Sequence, residues 1–91
     1  DLAAAEYTKL LQSNPKNFDV QIRLAETLRL KGDQDAAKNA YLKAKDLNPN
    51  DAIAYVRLAL MYETAGKVAE AKPLYEQVLR IEPDNPIALN N

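Results

Sequence analysis

Apolar residues recur along this chain at three- and four-residue intervals, in stretches separated by short polar breaks rich in proline, glycine, asparagine and aspartate. Leu2, Ala3, Tyr7, Leu10 and Leu11 keep helical spacing around Glu6, Lys9 and Gln12, which predicts a helix over residues 1–13. Asn14 and Pro15 end it, because the residue before a proline is pushed out of the α region. Asn17 is placed to cap a second helix over 18–31, its side-chain oxygen accepting an orphan backbone N–H. Gly32 then stands where a left-handed residue commonly closes the last turn. By the same logic Asp33 caps a helix over 34–47 that stops at Asn48 and Pro49. Asp51 opens a helix over 52–65 closed by Gly66, and a further helix covers 68–81 and ends before Pro83.

Two prolines test this pattern. Pro73 falls inside the helix over 68–81, where it removes a backbone hydrogen bond. It lies near the first turn, whose N–H groups lack intrahelical partners anyway, so a slightly distorted first turn is expected. Asn85 followed by Pro86 is a start signal, since proline suits the first helical position. Only residues 86–91 follow, and a stub that short is not expected to hold a helix alone.

The breaks and the apolar positions repeat together. Ala3, Tyr7 and Pro15 become Ala37, Tyr41 and Pro49, and then Ala71, Tyr75 and Pro83, always 34 residues apart. Short loops make successive helices antiparallel neighbours. This 34-residue helix–turn–helix unit resembles the tetratricopeptide repeat (TPR) family. Tyr55, Leu58, Ala59 and Tyr62 sit on that family's aromatic–leucine–glycine–tyrosine spacing, and Ala71, Tyr75 and Pro83 complete it. The preceding unit keeps Leu24, Ala25, Ala37, Tyr41 and Pro49. It departs at Leu28 and at Gln21, where an aromatic is usual, and a weaker contact between helices is expected around Gln21.

The resemblance implies an all-α fold in which antiparallel helix-turn-helix repeats stack as a right-handed α-solenoid. It divides the chain into the second helix of a truncated repeat (1–17), complete repeats (18–51 and 52–85) and the start of another (86–91). The chain opens at Asp1 in mid-pattern and is expected to be a piece of something longer. In the family the first helix of each unit lines a concave groove and the second forms the outer wall. Once Leu24, Ala25 and Leu28 are assigned to the core, the groove positions are Ile22, Arg23, Glu26, Arg29 and Leu30, then Ile53, Val56, Arg57, Leu60, Glu63 and Thr64. Ile53, Val56, Leu60 and Thr64 form a second apolar stripe opposite the core.

Two readings of these residues stay open. One is a groove that holds a peptide of a partner protein, with Arg23 and Arg57 offering bidentate contacts to a carboxylate. In the other, Ile22, Val56 and Leu60 seal neighbouring helices while the arginines are merely solvated. The family's carboxylate clamp is not matched, because Ile22 and Glu26 stand where its opening lysine and asparagine would lie. Lys38, Lys45, Lys72, Glu76 and Arg80 read as a solvated outer wall.

Composition narrows the chemistry. The 91 residues include no cysteine and no histidine, which removes a thiolate nucleophile, the commonest general base and the commonest zinc ligands. Gly32 and Gly66 are too far apart for a phosphate loop. Twelve basic and thirteen acidic residues leave a net charge of −1 without a basic block, so no nucleic-acid partner is expected. Nor does any apolar run reach the length that crosses a bilayer. The expectation is a non-catalytic protein-interaction scaffold without a cofactor. Two alternatives accompany it: self-association through open ends at Leu2, Leu10 and Leu11 or Leu74, Leu79 and Ile81, and an accessory segment of a larger enzyme.

Overall fold

Asparagine and aspartate side chains open the helices where the pattern places them. The structure, a computed structural model, describes residues 2–89. Asn17 Oδ1 accepts from the Val20 N–H at 3.2 Å, Asp33 Oδ1 from Ala36 at 3.3 Å, and Asp51 Oδ1 from Ile53 at 3.0 Å. The helices are α1 (Leu2–Ser13), α2 (Phe18–Lys31), α3 (Gln34–Leu47), α4 (Ala52–Thr64), α5 (Val68–Ile81) and α6 (Pro86–Leu89), with no strand among the described residues. Asp1, Asn90, Asn91 and the side chain of Leu2, all included in the expected elements, lie outside what is described.

The closing turns are equally local. Gly32 and Gly66 have φ of +97° and +80°, values that cost any residue with a Cβ. After each glycine the next N–H reaches back five residues, Asp33 to the Leu28 carbonyl at 3.0 Å and Lys67 to that of Tyr62 at 2.8 Å. These bonds satisfy carbonyls that the helix end would otherwise orphan. α4 stops at Thr64, one residue short of expectation, because the turn into Gly66 already takes Ala65. α5 runs unbroken through the exposed Pro73, and its first turn carries a tight Glu70 N–H bond to the Lys67 carbonyl at 3.1 Å beside the Ala71 bond at 3.2 Å. The stub departs from expectation. Residues 86–89 form one helical turn because Asn85 Oδ1 accepts from both Ile87 and Ala88, at 3.0 and 3.2 Å, and Ala88 is buried.

The chain divides into two compact units, Asp1–Asn48 and Pro49–Asn91. In the first, α2 and α3 form an antiparallel hairpin and α1 packs against α2. Ala25 on α2 and Ala37 and Ala44 on α3 are wholly buried, as is Tyr41. Gln21 is buried too, and its Nε2 donates to the Ala40 carbonyl of α3 at 3.0 Å. The contact expected to be weak at this position is therefore bridged by a hydrogen bond rather than filled by a ring. Pro49, the repeat's closing proline, is exposed in the following loop.

In the second unit α4 and α5 form the hairpin and α6 packs on α5. Ala52, Tyr55, Val56 and Ala59 of α4 pack with Ala71, Tyr75 and Val78 of α5 and with Ala88. Leu58 is wholly buried as well, whereas Pro83 is exposed. Leu74, Leu79 and Ile81 are partly buried against this cluster instead of standing open. At the other end Leu11 is half-buried and Leu10 remains 53% exposed.

Replacing Gln21 tests the hydrogen-bonded contact. Gln21→Ala should cost about 1–3 kcal/mol in urea denaturation, through the lost bond and the space left behind. Gln21→Leu should cost less, because it refills the space and the Ala40 carbonyl keeps its helical partner.

Candidate interaction surface

The candidate positions on α2 differ sharply in what they offer. Ile22 is buried at 9% exposure, whereas Arg23 and Leu30 are exposed, Leu30 at 77%. Glu26 and Arg29, one turn apart, form an ion pair at 2.9 Å. That pair removes Arg29 from the supply of unengaged cations. The Glu26 carboxylate, and after it the nearby Tyr41 hydroxyl, raises the Arg29 pKa. Tyr41 OH and Arg29 Nε are both buried without a hydrogen-bond partner. Burial is the main reason the Tyr41 pKa is pushed up to about 12.

On α4, Val56 is buried in the core cluster and Leu60 packs against it, so neither presents much surface. Ile53 is 36% exposed. Thr64 is exposed, and its Oγ1 donates to the Leu60 carbonyl at 2.8 Å. Arg57 is half-buried and is engaged in an interaction within the chain. Glu63 accepts a 2.7 Å hydrogen bond from the Tyr75 hydroxyl. Burial, and then this bond to a carboxylate, raises the Tyr75 pKa.

Three candidates meet in one place. Ile53, Val56 and Arg57 line a shallow depression of about 240 Å³ with Asp51, Ala52, Glu82, Asn85 and Ile87. Ile87 stands one repeat after Ile53 and is 38% exposed. Glu82, Asn85 and Ile87 were not among the sequence candidates, although the 34-residue offset from Ile53 points to Ile87. Glu82 carries no such signal, because its place depends on how α5 ends beside α4. Among the described residues no group of acidic side chains is arranged to hold a metal. Nor is any helix among the described residues long and apolar enough to cross a membrane.

Capped helix pairs, a small-residue seam within each pair and a partly apolar first-helix face define an α-helical repeat of the protein-interaction type. The tetratricopeptide repeat profile matches residues 1–52 and 31–86, and the chain belongs to that family. The family is generally a non-catalytic interaction domain. Among solved structures, MamA AMB-1 is similar at 32% identity and a TM-score of 0.82, over 90% of this chain and 48% of its own. The first TPR of Spaghetti (RPAP3), bound to the HSP90 peptide SRMEEVD, is similar at 33% identity and a TM-score of 0.83, over 96% of this chain and 69% of its own. YrrB, described as a TPR protein with an unusual peptide-binding site, gives a TM-score of 0.87 over 98% of this chain and 46% of its own. Its 19% identity makes that likeness one of fold alone. The chain thus spans about half the length of MamA and YrrB. No curated protein sequence matches it. These neighbours are helical solenoids, and the all-α repeat class expected from the sequence is the one found.

Tyr41 and Tyr75, one repeat apart, should respond oppositely to loss of the hydroxyl. At pH 7 Tyr41→Phe should be neutral or stabilise by up to about 1 kcal/mol, because it removes a buried group that has no partner. Tyr75→Phe should cost about 1–2 kcal/mol through the lost bond to Glu63. Both folded pKa values lie above the unfolded value of about 10, so the folded state holds more protons once the pH passes that value. Stability should therefore be fully present below pH ~10 and fall toward pH ~12, and the double phenylalanine variant should lose less over that window in urea titrations.

Proposed function

We propose that this chain is a non-catalytic scaffold that binds an extended or helical peptide of a partner protein along the first helices of its repeats. The observation that carries the reading is the depression on α4, where Ile53 and Ile87 stay partly exposed above a floor of Ala52 and Val56. Hydrophobic side chains left accessible at the same place in successive repeats suit anchors of a peptide lying across them. The division into repeats at 18–51 and 52–85 belongs to this reading, as do the exposed Arg23 and the other candidate positions on α2. The peptide complex of the first TPR of Spaghetti supports it by likeness. An isotope-labelled sample should be titrated with peptides selected from a random display library and followed by NMR. Amides of residues 18–31, 52–64 and 87–89 are expected to shift. Shifts confined to α3 and α5 would count against the proposal.

Self-association is a second reading, favoured by Leu10 and Leu89, which are 53% and 61% exposed. An apolar surface that one copy leaves bare can be covered by another. Sedimentation velocity should then show a weight-average mass rising with concentration, and Leu10→Gln should reduce that rise. A single monomeric species at high concentration would refute it.

A further inference from the structure

The depression on the second unit has a charge as well as a shape. Asp51 and Glu82 line it with a single cation, Arg57, which is half-buried and engaged in an interaction within the chain. Glu82 follows the last turn of α5, where unpaired carbonyls give a helix end its partial negative charge. The positive N-terminus of α4 is in turn already met by the Asp51 carboxylate, which accepts the Ile53 N–H. Residues 49–91 carry six acidic and four basic side chains, a net charge of −2, so the unit as a whole has the same sign as the two carboxylates. The partly exposed Ile53 and Ile87 supply apolar walls between these charges.

Resting on the peptide-binding reading above, we propose that this depression selects a peptide whose aliphatic anchor is flanked by lysine or arginine. The aliphatic side chain lies between Ile53 and Ile87 over Val56, and the flanking cations reach Asp51 and Glu82. This polarity differs from that of the peptide held by the first TPR of Spaghetti, SRMEEVD, in which three of seven residues are acidic. On this chain such a peptide would bring its carboxylates against two of the protein's own.

A display library with a central isoleucine and randomised flanks, selected against the whole chain, tests the proposal. Lysine and arginine should be enriched at the flanks, and a synthetic peptide made from the winners should shift the amides of Ile53, Val56 and Ile87. Glu82 Oε1 accepts from Asn85 Nδ2 at 2.8 Å, and the D51N/E82Q double variant removes both charges while asparagine still caps α4 and glutamine can still accept that bond. It should bind that peptide about three- to tenfold more weakly at low salt, a difference that should shrink at high salt because exposed charges are screened. Winners with acidic or neutral flanks, or basic winners indifferent to the double variant, would overturn this inference and leave peptide binding in place. Absence of any enrichment over a carrier control would overturn both.

Discussion

Two helices of one hairpin can approach closely only where side chains leave room, and every other feature of these units depends on that approach. Ala25 faces this demand on α2 with Ala37 and Ala44 on α3, and Ala59 and Ala71 meet it in the second hairpin; each is buried to within 1%. A larger side chain at such a seam would push apart helices whose loops fix them as antiparallel neighbours. With the backbones held close, larger residues can fill the remaining volume. Tyr41 and Val78 are wholly buried, and Tyr75 and Tyr55 nearly so. The seam thus turns a weak local preference for helix into a packed hairpin, since a helix of 14 residues is marginal in water by itself.

The two hairpins reach this common frame with different polar chemistry. Position 29 is an arginine, paired to Glu26 and close to a tyrosine hydroxyl that has no hydrogen-bond partner. One repeat later, position 63 is a glutamate that accepts a hydrogen bond from Tyr75. Gln21 similarly donates to the α3 backbone where Tyr55 supplies a ring. The fold tolerates these exchanges because the small residues determine the helix separation, while the larger positions need only be filled and have their polar atoms met where they can be.

That separation of roles also shapes the candidate surface. Side chains on the first helices that turn toward the core, such as Ile22 and Val56, are spent on packing and present little to a partner. Other positions on these helices keep their exposure. Leu30 is an exposed apolar member, Ile53 and Ile87 are partly exposed ones, and Arg23 is an exposed cation. Arg57, which looks like the repeat counterpart of Arg23, is half-buried and engaged, so identical residue types at identical repeat positions do not have identical availability.

Much of the architecture is legible along the chain. Helix starts at Asn17, Asp33 and Asp51, left-handed closures at Gly32 and Gly66, and the alanine seam follow from short-range chemistry and a 34-residue period. The start of the final turn at Asn85 and Pro86 was legible, but its persistence over residues 86–89 was not, since that depends on burial of Ala88 as well as on its own cap. The candidate site was legible only in outline. Periodicity can assign Ile53, Val56 and Arg57 to one face of a helix, but cannot say that Val56 is submerged or that Arg57 is engaged. Nor can it bring Glu82 to a depression opened by α4. By itself the sequence determined the helices, their ends and the small-residue seams, because those depend on backbone geometry and side-chain size within a few residues. Only the tertiary structure decided which side chains remain accessible and which charges stand beside them, because exposure and electrostatic surroundings are set by neighbours distant in the chain.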